Sequence, residues 1–124
     1  MNLDSLDREK IKKIRVGIFL FPALLKRFGN LEIPYPGGCN IGKRPIDEHL
    51  HAFAAFGYQD QGHDEILRFT GALHDRDITL SANFAVTATE NMIMMAAFRR
   101  GKTTIEMAAI EPHVMNLTQS LQSI

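Results

Sequence analysis

The chain has 124 residues, and its 14 basic and 14 acidic side chains cancel. That length is enough for one domain with a real core, and the neutral balance argues against a broad nucleic-acid or anionic-membrane surface. A single cysteine excludes an internal disulfide.

The opening MNLDSLDREK is charged and polar, so no secretory leader is expected. Residues 7–27 are expected to form a helix, because Ile11, Ile14, Ile18, Phe21 and Leu25 recur at steps of three and four. Pro22 removes a backbone bond to Ile18 and predicts a kink. The apolar run "IFLFPALL" inside this helix is far shorter than the ~20 residues that cross a bilayer. No membrane association is expected, and a reducing cytoplasm is the expected setting. Phe28, Gly29 and Asn30 stop the helix.

Leu31, Ile33 and Tyr35 alternate as a short strand. The glycine-rich loop "PGGCNIGKR" follows. Pro45 is expected at the first position of a helix, with Asp47 and Glu48 in its first turn. Ile46, Leu50, Phe53 and Ala54 form its buried stripe, and Gly57 ends it. Strands are expected around residues 58–61, 65–71 and 78–81. A further helix opens at Thr87, where Thr87-Ala88-Thr89-Glu90 matches a capping box, and Gly101 terminates it. Residues 103–108 form a strand. Pro112 opens a last helix with Val114, Leu117, Leu121 and Ile124 on its apolar side.

One plan occurs twice. "LLKRFGNLEI", a loop and "RPIDEHLHAFAAFGY" parallel "AAFRRGKTTIEM", a shorter loop and "EPHVMNLTQSLQSI". Each is helix, basic-glycine stop, strand, proline-led helix. The expected organisation is an α/β protein with an internal duplication, unit one spanning residues 7–83 and unit two residues 84–124. The first copy has the longer loop, which predicts a purpose beyond connection.

That loop carries Cys39. Gly37, Gly38 and Gly42 free its backbone, and Lys43, Arg44 and the following helix start supply positive potential that activates a thiol. The alternative is a small residue in a tight turn. Arg44 ahead of a helix start suits a phosphate or carboxylate. Asp47 can accept from a ligand's imide or hydroxyl, or can simply balance the helix dipole. Arg15 interrupts an apolar helix face and needs an anion, either a ligand or a structural carboxylate. His49, one turn into the helix, is a possible ligand contact. No metal site is expected, because no His or Cys pair has ligand spacing.

The stretch "RVGIFLFPALLKRFGNLEIPYPGGCNIGKRPIDEHL", with its P-G-G-C-x-I-G-x-R-P motif, closely resembles bacterial UDP-N-acetylglucosamine enolpyruvyl (carboxyvinyl) transferases of the EPSP synthase-like superfamily. "TATENMIMMAAFRRGKTTIEMAAIEPHV" resembles the segment that follows in the same lobe. The resemblance runs from about Ile14 to the end. It implies an inside-out α/β prism of repeated units, about two units of one lobe. It implies transfer of the enolpyruvyl group from phosphoenolpyruvate to the 3-hydroxyl of UDP-N-acetylglucosamine in peptidoglycan precursor synthesis, with no metal or organic cofactor. Cys39 matches the family's loop cysteine, an acid or covalent-adduct site that fosfomycin alkylates. Arg44 matches the arginine that holds anionic groups. Pro45, Asp47 and His49 match the nucleotide-contacting helix start, and Arg15 matches a cleft arginine. Gly37, Gly38, Asn40 and Gly42 complete the loop.

The family's amino-terminal lysine–asparagine motif and its second lobe's catalytic aspartate and arginines are absent, and its S-V-G stretch reads Ala85-Val86-Thr87. The expectation is therefore part of one lobe, with negligible activity alone and with self-association through exposed lobe faces. A non-catalytic nucleotide- or phosphate-binding module is the alternative. An RNA-cyclase-like relative is a third reading, which neutral charge and the Pro-Gly-Gly-Cys loop weigh against.

Overall fold

The computed structural model describes residues 7–37, 45–63 and 65–123. Asp7 caps the first helix, α1 (Arg8–Lys13), by accepting the Lys10 amide at 3.0 Å. The Lys10 ammonium, 3.0 Å from Asp7 Oδ2, and then that amide hold the Asp7 carboxyl below its ordinary range. The expected single helix over 7–27 is broken. Ile14 is extended (φ −127°, ψ 122°), a 3-10 segment runs over Arg15–Leu20, and α2 spans Phe21–Phe28. Ile14, Val16 and Gly17 are weak helix formers, which favours the break. Pro22 has no N–H for Ile18, so the Ile18 carbonyl takes the Phe21 amide in a 3-10 step. Pro22 therefore starts a new helix and does not kink an old one. Ile11, Ile18, Phe21 and Leu25 are buried as their spacing predicts, but Ile14 is exposed. Gly29 ends α2 at φ 73°.

β1 (Leu31–Pro34), β3 (Ile66–Gly71) and β2 (Tyr58–Asp60) form an antiparallel sheet in the order β1-β3-β2. Between β1 and β2 runs α3 (Asp47–Phe56). It begins later than expected: Ile46 is its N-cap and Pro45 lies outside it. The Pro45 carbonyl accepts from Arg15, so Ile46 supplies the first helical acceptor, to the His49 and Leu50 amides. Gly57 closes α3 at φ 112°, and a Cβ there would overlap the Ala72 carbonyl oxygen. Phe21 from α2, Phe53 from α3 and Phe69 from β3 meet at centroid distances of 6.1, 5.9 and 5.4 Å, all fully buried.

The second half is a β-α-β crossover. β4 (Ile78–Ser81) and β5 (Thr103–Glu106) are parallel neighbours joined through α4 (Val86–Ala97). The expected capping box does not form: Ala85 is the N-cap, without a side-chain bond. The hydroxyls and the carboxylate of this turn find other partners. Thr87 meets His49, Thr89 Oγ1 donates to the Ala85 carbonyl and accepts the Ala109 amide, and Glu90 Oε1 lies 3.7 Å from His113 Nε2. α4 also stops before Gly101, with Phe98 as C-cap. Gly101 serves a close approach, since a Cβ there would overlap the Asp75 carbonyl oxygen. β5 ends short of residue 108 because Met107 turns to φ 46°. α5 (Pro112–Gln122) opens on its proline as expected and buries Val114. The mixed α/β class is as the sequence predicts, and the order helix–strand–helix recurs as α2–β1–α3 and α4–β5–α5.

Candidate functional site

Arg15 stands at the start of the 3-10 segment, where the break at Ile14 re-aims the chain. Its Nη2 donates to the Pro45 carbonyl at 3.1 Å, across 30 residues of sequence. Gly37 packs against the other side of the same stretch: a Cβ there would overlap the Lys12 carbonyl oxygen. Gly37 and Pro45 thus both approach residues 12–15. Gly38, Cys39, Asn40, Gly42 and Arg44 lie outside the described residues.

Pro45 and Asp47 are exposed at the amino end of α3. His49, one turn on, is buried. Its Nε2 is 3.0 Å from Thr87 Oγ1, in the first turn of α4. Its Nδ1 is also buried, with no partner in hydrogen-bonding geometry. Burial, and then the Arg15 cation, lower its pKa to about 4, so the ring is neutral at pH 7. Glu48 Oε1 accepts from Asn83 Nδ2 at 2.8 Å, and Asn83 is held in turn by Ser81 Oγ. Two side-chain bridges, His49–Thr87 and Glu48–Asn83, therefore bring the amino ends of α3 and α4 together. The positive dipole ends of two helices therefore lie near each other, beside the Asp47 and Glu48 carboxylates of the first turn of α3.

Phe84 stands at the same end, 68% exposed, with φ 59°. Its amide donates to the carbonyl of Met107, which also has positive φ. The sequence reading missed Asn83, Phe84 and the tertiary role of Thr87. The pair Asn83-Phe84 carried a faint turn signal in its asparagine, while Thr87 was assigned to a cap.

Among the described residues no three His, Cys, Asp or Glu side chains group to hold a metal ion, and no helix is long and apolar enough to cross a membrane.

The family described as "EPSP synthase (3-phosphoshikimate 1-carboxyvinyltransferase)" matches residues 7–124. Two similar curated relatives are each called UDP-N-acetylglucosamine 1-carboxyvinyltransferase. One, from Wolbachia sp. subsp. Brugia malayi (strain TRS), is 39% identical over 126 residues that cover 100% of this chain and 29% of the relative. The other, from Prochlorococcus marinus (strain AS9601), is 40% identical over 129 residues, covering 100% of this chain and 28% of the relative. The chain thus spans less than a third of the length of the relatives it matches.

Proposed function

Because the chain belongs to the EPSP synthase family, we propose that it is part of a transferase moving the enolpyruvyl group of phosphoenolpyruvate to UDP-N-acetylglucosamine. The observation that carries this reading is the 39–40% identity along the whole chain to relatives named for that carboxyvinyl transfer. The converging amino ends of α3 and α4 support it, since both substrates are polyanions. In the reaction the acceptor's 3-hydroxyl oxygen bonds to C2 of phosphoenolpyruvate. The bond from C2 to the phosphate oxygen breaks, and inorganic phosphate leaves with the hydroxyl proton. Cys39 acts as the acid or adduct-forming thiol. Arg44 and Arg15 hold anionic groups, and Pro45, Asp47 and His49 build the nucleotide side, with Gly37, Gly38, Asn40 and Gly42 shaping the loop.

Arg15 also donates to the Pro45 carbonyl, and the buried His49 ring meets Thr87 Oγ1. The proposed setting is the cytoplasm, in peptidoglycan synthesis serving cell-wall growth, shape and division, with fosfomycin as a thiol-directed inhibitor. Residues 7–83 and 84–124 are read as two units of one lobe. The recurrence of helix–strand–helix supports two units, while the pairing of β4 (Ile78–Ser81) with β5 moves their boundary to before Ile78.

The test is a chimaera in which this chain replaces the matching segment of a full-length relative. The expected result is phosphate release from phosphoenolpyruvate that depends on UDP-N-acetylglucosamine and falls by ~10²–10⁴ on Cys39→Ala. Unchanged turnover in that variant removes the thiol's role. The second reading is a non-catalytic nucleotide-binding portion. It requires saturable UDP-N-acetylglucosamine binding by this chain, lost on Arg44→Ala, together with an inactive chimaera.

A further inference from the structure

We infer that Asn91, in the middle of α4, is a positioning residue: its amide grips the Ile18 carbonyl and so sets where Arg15 stands against Pro45 and His49. Asn91 is fully buried, and its Nδ2 donates to the Ile18 carbonyl at 3.4 Å, across 73 residues of sequence. The need for that donor comes from Pro22. In an α-helix the Ile18 carbonyl would take the amide of residue 22, and proline has none. The carbonyl takes the Phe21 amide in a 3-10 step, and its second lone pair takes Asn91.

The bond reaches Arg15 through the 3-10 segment. Arg15 lies one 3-10 turn before Ile18, so fixing the Ile18 backbone fixes the base of the Arg15 side chain. The Arg15 Nη2 reaches the Pro45 carbonyl at the entry to α3. The other side of the pair is held from the same helix. Thr87 precedes Asn91 by four residues, on the same face of α4, and its Oγ1 meets His49 Nε2. One face of α4 therefore holds the Arg15 segment through Asn91 and the His49 helix through Thr87. The Arg15 cation stands close enough to His49 to disfavour its charged form.

A purely structural role explains Asn91 poorly. Its Oδ1 is buried and has no donor in hydrogen-bonding geometry among the described residues, and an unmet buried acceptor costs stability. Leucine, of similar size, would fill the space without that cost. The asparagine is therefore used for where it puts Ile18. What Arg15 and His49 would hold rests on the proposed transferase activity; how they are held rests on these contacts alone.

Asn91→Leu removes the donor and keeps the bulk. In this chain the His49 titration midpoint, read from ring-carbon NMR shifts, should rise from about 4 as Arg15 moves off. It should rise no further than in Arg15→Gln, and the two substitutions together should do no more than Arg15→Gln alone. A role in packing alone would shift the urea midpoint and leave this titration where it is. Should the leucine variant not fold, Asn91→Met, more adaptable in a core, carries the same comparison. In the chimaera with a full-length relative, Asn91→Leu should lower kcat/KM about tenfold, again with no added loss in Arg15→Gln. An inactive parent chimaera would count against the transferase reading alone, and the His49 titration would still decide the positioning. An unmoved His49 midpoint in the leucine or methionine variant, or a shift that adds to that of Arg15→Gln, overturns the inference.

Discussion

His49 Nε2 and Thr87 Oγ1 lie 3.0 Å apart, and this contact between residues 38 positions apart joins the first turn of α3 to the first turn of α4. A neutral imidazole satisfies the hydroxyl from Nε2. The charged ring donates from both nitrogens, and Nδ1 is buried with no acceptor in hydrogen-bonding geometry. The Ile46 carbonyl and Glu48 favour the charged ring only weakly against burial and the Arg15 cation.

Stability should therefore fall in acid. The folded pKa of about 4 lies below the ordinary 6.5, so the unfolded chain binds the proton first as pH drops. The His49 contribution is complete above 6.5 and is lost as pH falls from there to about 4. By pH 5 the loss is about 2 kcal/mol. Urea unfolding at pH 7 and pH 5 should show a smaller drop for His49→Gln than for the parent chain. Equal drops would remove His49 as the source.

Arg15→Gln removes the cation that depresses His49 while keeping a donor for the Pro45 carbonyl. The His49 pKa should rise toward its ordinary value, read from ring-carbon shifts in an NMR titration. An unmoved titration midpoint would show that burial alone sets it.

Arg99 is the joint of the second half. Its Nε donates to the His74 carbonyl at 2.8 Å, its Nη2 to the Arg76 carbonyl, and its Nη1 to the Lys102 carbonyl at 3.3 Å and to Thr103 Oγ1. It also lies over the Phe56 ring at 5.8 Å. A lysine cannot reproduce this fork. Arg99→Lys is expected to cost about 1–3 kcal/mol. Hydrogen exchange should also speed up at Ile78, whose amide bonds the Lys102 carbonyl. Unchanged protection there would mean the fork is dispensable.

Two phenylalanines should behave oppositely. Phe53, at the centre of the three-ring cluster, is fully buried, and Phe53→Ala should cost about 3–5 kcal/mol. Phe84 is 68% exposed at φ 59°, where glycine is easier. Phe84→Gly should leave stability unchanged or raise it by up to about 1 kcal/mol. A clear loss would mean the ring packs in solution. Denaturant midpoints of both variants settle the comparison.

The strands, the helix ends at Gly29 and Gly57 and the proline-led α5 were legible because each depends on local chemistry: alternation, left-handed glycine, a missing amide. The break at Ile14 was not, because a 3.6-residue period survives a 3-10 turn well enough to imitate one helix. The capping box failed for a different reason. Thr87 and Glu90 match the motif by spacing, but Thr87 Oγ1 meets His49 Nε2 on α3 and Glu90 Oε1 lies 3.7 Å from His113 Nε2 on α5. Of the candidate site, the bond from Arg15 to the Pro45 carbonyl and the bridge from His49 to Thr87 span 30 and 38 residues, beyond the reach of any local pattern.

By itself the sequence determined the α/β class, the repeated helix–strand–helix plan and the family, since these rest on periodicity, on breaker residues and on a long specific motif. Only the tertiary structure decided which residues meet: His49 with Thr87, Glu48 with Asn83, and Arg99 with the chain before β4. The physical reason is that a side chain's ionisation and hydrogen bonding depend on burial and on partners tens of residues away, and no local pattern encodes those.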